Sequence, residues 1–172
     1  YYKGLPVLVE AAKAIRAKVV MAGDGPERAP AMALAKELGV DITFPGSLSQ
    51  EDLVAHLHGC AVFAFPSVER SEAFGISILE AHACGKPVVA TKLGTGVECA
   101  NLDGVTGVNV PPRDPRAFSE AVNLLLADPV RRGVLGRQAR DRVRADFDVE
   151  AVARAEFELY REAVIMKGLN AD

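Results

Sequence analysis

Hydrophobic and polar positions along the chain fall into two alternating kinds of segment: short β-branched runs, and longer stretches with an apolar residue every three or four positions. Leu8, Ala11, Ala12 and Ile15 keep helical spacing, which predicts a helix over residues 5–17. Lys18 to Gly23 (KVVMAG) then predicts a strand, Gly23-Asp24-Gly25-Pro26 a turn, and residues 27–38 a helix closed by Gly39. The same unit recurs. A strand is expected over 40–44, a loop over 45–49, and a helix through Leu53 and Leu57 with Ser49 as its cap and Asp52 three residues on. Next come a strand at 61–65, a loop entering a helix that ends near Cys84 and Gly85, a strand at 87–91 and a Gly-rich loop at 92–96. A short helix over 96–102 and a strand over 107–110 follow. Helices near 115–126, 129–144 and 149–167 close the chain, the last capped by Asp148, with 168–172 as a frayed tail. Strands alternating with helices of this length predict an α/β domain over residues 1–167. Its sheet is parallel and doubly wound, with helices on both faces and extra helices at the C-terminus.

Composition narrows the class without naming a chemistry. In 172 residues, 49% hydrophobic, there is enough apolar surface for one sizeable core. A net charge of −3 supplies no broad basic face for nucleic acid or an anionic membrane. Cys60, Cys84 and Cys99 are odd in number and lack metal-ligand spacing, which reads as free thiols in a reducing, cytoplasmic setting. No apolar run reaches the roughly 18 residues a membrane helix needs.

In such a sheet, ligands bind beyond the carboxyl ends of the strands, and four loops expected there carry Gly or small polar residues: 23–25, 46–47, 69–75 and 94–96. Together they describe a nucleotide-sized cleft. Neither a three-glycine dinucleotide fingerprint nor a G-x-x-x-x-G-K-S/T phosphate loop occurs, so hydride transfer and triphosphate hydrolysis are disfavoured. The distinctive stretch is Ser71 to Glu80, SEAFGISILE, in which seven residues separate Glu72 from Glu80. A strand, a polar loop, Gly75 and then a helix present free backbone N–H groups and a positive dipole end, which suits a phosphate. Two carboxylates beside a phosphate are expected to meet neutral hydroxyls instead, which points to ribose and sugar. Glu80 stands in an otherwise apolar helix turn, where a buried carboxylate requires a hydrogen-bonding partner. Asp146 and Asp148 form a D-x-D string, but the place between two helices fits a cap better than a metal site. Arg131, Arg132, Arg137, Arg140, Arg142 and Arg144 make a basic helix, expected to be a solvated face, that allows peripheral contact with phospholipid or a partner domain.

These residues resemble the C-terminal, nucleotide-sugar-binding domain of retaining glycosyltransferases of the two-Rossmann-domain (GT-B) type, family 4 or group 1. The resemblance runs through Lys3-Gly4, Gly23 to Pro26, Phe44-Pro45-Gly46, Pro66-Ser67, Ser71 to Val88, Asp103 to Gly107 and Pro111 to Pro115. It implies a Rossmann-like fold in which Glu80 holds the ribose, Glu72 meets the sugar hydroxyls and Lys3 meets the diphosphate. Backbone N–H groups around Phe74, Gly75 and Ile76 would serve sugar and diphosphate, Gly46 and Leu48 the base, and Gly23 the turn over the nucleotide. No metal would be required. His82 and Val97 depart from the family's usual Met and Pro. Within the resemblance, the first strand and the acceptor-binding domain precede Lys3, so the chain by itself would bind donor weakly. The implied reaction is hexose transfer from a nucleotide diphosphate sugar to a glycan or lipid acceptor, with GDP-mannose slightly favoured by the LGTG and SEAFG stretches. A non-catalytic nucleotide-binding or interaction domain and a sugar-nucleotide epimerase remain as alternatives.

Overall fold

The computed structural model describes residues 2–166. Thirteen elements are described: α1 (Leu5–Ala12), β1 (Val19–Ala22), α2 (Arg28–Glu37), β2 (Ile42–Gly46), α3 (Gln50–Gly59), β3 (Phe63–Phe65), α4 (Ile76–Ala83), β4 (Val88–Thr91), α5 (Val97–Ala100), β5 (Gly107–Val110), α6 (Pro115–Ala127), α7 (Pro129–Asp146) and α8 (Val149–Met166). Every strand pairing is parallel. The frayed tail expected at 168–172 lies outside the described residues.

Local chemistry explains the element ends. Ser49 accepts from the Asp52 N–H at 3.1 Å, the cap its sequence spacing indicates. Asp114 and Asp128 cap α6 and α7 in the same way, each one residue before a proline that needs no N–H partner. Asp148 accepts from the Glu150 N–H at 3.1 Å at the start of α8.

β4 is buried along its whole length and divides the core. Val89 packs with Leu8, Phe118, Val122 and Leu125 beneath α1 and α6, whereas Val88 and Ala90 pack with Phe65, Ile78, Ala81 and Val97 beneath α4 and α5. The side-chain period of two thus sends alternate residues to opposite helical layers, as a doubly wound sheet requires. A third cluster, Val9, Ala12, Ala31, Ala35 and Ile42, joins α1 to α2 and β2.

The parallel strands fall into two sheets: β1 pairs only with β2, and β3-β4-β5 form a second sheet. Between the facing strands β1 and β3 runs a cavity of about 1160 Å³, lined by both strands and by Leu5, Leu8, Val122 and Leu126. Two parallel strands whose edges are separated by a cavity of apolar walls cannot exchange ladder hydrogen bonds. α8 contributes no buried residue, and Phe157, Leu159 and Tyr160 are each about two-thirds exposed. No helix among the described residues is long and apolar enough to cross a membrane.

Candidate functional site

The site begins with two glycines that bring distant segments together. Gly4 adopts φ +67°, and a Cβ there would lie 1.9 Å from the Pro66 carbonyl oxygen. That contact, together with the Val68 N–H donating to the Tyr2 carbonyl at 2.8 Å, seats Lys3 against the loop after β3. Gly75 adopts φ +87°, and its Cβ would meet Phe65 Cζ at 2.9 Å, so only glycine lets the start of α4 come down on the end of β3.

Lys3 Nζ donates to Glu72 Oε2 at 2.6 Å and sits 4.8 Å from the Tyr2 ring centroid and 5.7 Å from that of Phe65. Ser67 Oγ donates to the same oxygen at 3.0 Å. Glu72 is buried, at 7% exposure, and its loop is anchored from several sides. Thr95 Oγ1 donates to the Glu72 carbonyl at 2.9 Å, and the Gly96 N–H to the Ala73 carbonyl at 2.8 Å. Arg70 donates to the Gly94 carbonyl at 3.2 Å, Arg113 pairs with Glu69, and Thr91 Oγ1 donates to the Ser67 carbonyl.

At the start of α4, no hydrogen bond among the described residues uses the N–H of Gly75, Ile76 or Ser77. These donors are the orphans of a helix N-terminus and remain available to an oxyanion. Glu80 follows one turn later. The structure corrects the sequence argument for it: Glu80 is exposed, and no ion pair or hydrogen bond falls on its carboxylate among the described residues. Ile78 and Ala81 take the core face of α4, so the carboxylate is not desolvated. It lines the large cavity beside Ser77, Lys3 and Ser67, across from Gly23-Asp24-Gly25 and Arg28.

Other expected residues fall elsewhere. Gly23, φ +125°, lies on the cavity wall and donates its N–H to the Gly46 carbonyl at 2.8 Å. Gly46 and Leu48 themselves lie off that wall, at the end of β2 and just beyond it. The Phe74 side chain packs away from the cavity, edge-on to Phe147 at 5.9 Å. The 94–96 loop, expected to line a cleft, instead braces the Glu72 loop. Asp146 pairs with Arg142 at 3.3 Å, and Arg142 also donates to the Ala100 carbonyl at 3.1 Å. Arg132 donates to the carbonyls of Leu125 and Leu126, so two arginines of the basic helix serve internal packing rather than a solvated face. Among the described residues no group of three or more His, Cys, Asp or Glu is placed to hold a metal ion.

Sequence reasoning gave no individual role to Ser67, which entered only beside Pro66 in the resemblance, to Thr95, which entered only within the 94–96 loop, or to Arg28, which opens α2. His82, noted from the sequence only as a departure from the family's usual Met, is fully buried at the α4–α7 contact with neither ring nitrogen hydrogen-bonded. Burial above all, with the Arg142 charge adding to it, lowers its pKa from 6.5 to about 4.

Residues 1–142 match the family model described as glycosyl transferases group 1. The chain belongs to that family. Among curated relatives, it is 42% identical over 148 residues to D-rhamnosyltransferase WbpZ of Pseudomonas aeruginosa, covering 86% of the chain and 39% of that protein. It is 36% identical over 161 residues to O-antigen chain mannosyltransferase C of Escherichia coli, covering 93% of the chain and 43% of that protein. The chain therefore spans about two-fifths of the length of these relatives. Its fold superposes on Alr3699/HepE of Anabaena, solved with UDP and glucose, with a TM-score of 0.82 at 23% identity, over 94% of this chain and 45% of that one.

Proposed function

We propose that this chain is the donor-binding part of a retaining hexosyltransferase acting on a nucleoside diphosphate sugar. The observation that carries the reading is the meeting of Lys3, Glu72 and Ser67 beside the free N–H groups of α4, with Glu80 unpartnered one turn further along the same helix. Glu80 accepts the ribose hydroxyls. The α4 N–H groups and the remaining Lys3 N–H donors receive the diphosphate, and Glu72 accepts a sugar hydroxyl. As the bond from the anomeric carbon to the diphosphate oxygen breaks, the acceptor hydroxyl bonds to that carbon from the same face. Its proton passes to the departing diphosphate oxygen. Negative charge grows on that oxygen, and a fixed ammonium and oriented N–H groups stabilise it without reorganisation. The reaction as drawn uses no metal: chelation with EDTA leaves the rate within about twofold, and a loss that Mg²⁺ or Mn²⁺ restores overturns that step.

The donor is GDP-mannose and the acceptor a glycan or lipid held by sequence outside this chain. The name of the mannosyltransferase relative supports this choice of sugar. Titration calorimetry of the full-length protein with GDP and UDP tests the nucleotide site. Glu80→Ala is expected to weaken the bound nucleotide about 10- to 100-fold, the value of hydrogen bonds to a charged group; an unchanged Kd refutes the ribose assignment.

A further inference from the structure

Glu72 carries two donors on one oxygen and none on the other. Lys3 Nζ and Ser67 Oγ both donate to Oε2, while no hydrogen bond among the described residues reaches Oε1. The asymmetry is built in. Ser67 is 1% exposed, its carbonyl receives the Thr91 hydroxyl from the end of β4, and the Glu72 backbone is held by Thr95. A carboxylate has about four lone-pair sites over its two oxygens, and here the protein has placed donors on one oxygen only.

We infer that Ser67 is a positioning residue that, with Lys3, claims Oε2 of Glu72 and leaves Oε1 as the acceptor for a hydroxyl of the donor sugar. The inference rests on the donor-site reading above. Ser67 touches neither the sugar nor the diphosphate. It acts by limiting rotation of the Glu72 carboxylate, which Lys3 alone, on a long and half-exposed stem, restrains less. A serine hydroxyl suits this role, because its donor goes to Glu72 and its short side chain has one rotatable bond to freeze.

The test separates the sugar's share of binding from the nucleotide's. In the full-length protein, calorimetry gives Kd for GDP and for GDP-mannose, or for UDP and UDP-glucose if uridine binds instead, and the ratio isolates the sugar. Ser67→Ala is expected to lower that sugar advantage about tenfold, the scale of one hydrogen bond to a carboxylate, with Kd for the bare diphosphate within twofold. In a Glu72→Gln background the same substitution is expected to change the ratio less than twofold, because its effect runs through the carboxylate. Thermal unfolding of each variant confirms that it is folded under the assay conditions, and Ser67→Cys, which keeps a weak donor, restores part of the ratio if Ser67→Ala unfolds. An unchanged ratio, an equal loss for nucleotide and sugar nucleotide, or full additivity with Glu72→Gln overturns the inference and leaves the donor site standing. A wild-type protein that binds neither diphosphate, or whose affinity ignores Glu80→Ala, overturns the donor-site reading itself.

Discussion

The residues that matter most for the site are small. Gly4 places Lys3, and with a Cβ 1.9 Å from a backbone oxygen on a left-handed residue, Gly4→Ala has no cheap relaxation. It is expected to cost more than about 1 kcal/mol in urea unfolding and to weaken nucleoside diphosphate binding as well, because the Lys3 segment must move. At His82 the consequence is a pH dependence. Its folded pKa of about 4 lies below the ordinary 6.5, so the unfolded chain takes up the proton first as acid is added. The stability associated with neutral His82 is fully present above about pH 6.5 and is lost as pH falls toward 4, on the order of 3 kcal/mol in total. Urea midpoints measured from pH 7.5 to 4.5 should decline on that schedule. In His82→Met the decline over this window should be much shallower; an identical slope means other groups set it.

At the scale of elements, the α4–α7 contact depends on close backbone approach. A Cβ on Gly136 would stand 2.1 Å from the Gly85 carbonyl oxygen, whereas one on Gly133, a turn earlier in the same helix, meets only the flexible end of Arg137 at 3.5 Å. The two positions should respond to alanine with opposite signs. Gly136→Ala pushes α7 off α4 and is expected to destabilise by about 2 kcal/mol or more, and Gly133→Ala to stabilise by about 0.5–1 kcal/mol through helix propensity. Chemical denaturation of both variants checks the pair, and equal effects would show that the contact is not the limiting one. Element type was legible because period-two and period-3.6 stretches here are separated by Gly, Pro or capping residues; Ser49 and Asp148 mark helix starts as their spacing indicates. Lengths were less so. The helix expected over 5–17 stops at Ala12, because the chain turns there to reach β1 at Val19.

For the molecule as a whole, the decisive feature is the cavity that parts β1 from β3. A parallel strand set there would join the two sheets into one ladder of six. Lys3 would then follow that strand's carboxyl end, at the point where chain connections diverge to either side. The Tyr2 carbonyl already accepts from Val68, just past β3, as the last rung of such a ladder would. We expect the sequence preceding Tyr1 in the full-length protein to supply this strand. Amide hydrogen exchange is the measurement: N–H groups of β1 and β3 should be protected at least 100-fold more in the full-length protein than in the 172-residue chain, and equal protection rejects the strand.

The sequence by itself determined the α/β class, the order of elements and the Glu72–Glu80 stretch, because periodicity, caps and glycine geometry act within a few residues. It determined that Gly75 opens a helix N-terminus. Only the tertiary structure decided that Lys3 and Ser67 share one oxygen of Glu72 across 69 and 5 positions of chain, and that Glu80 faces open space rather than the core. It alone decided that the 94–96 loop braces the site and does not line it. Those outcomes depend on which side chains distant backbone segments bring within 3 Å of one another, and no local pattern encodes that distance.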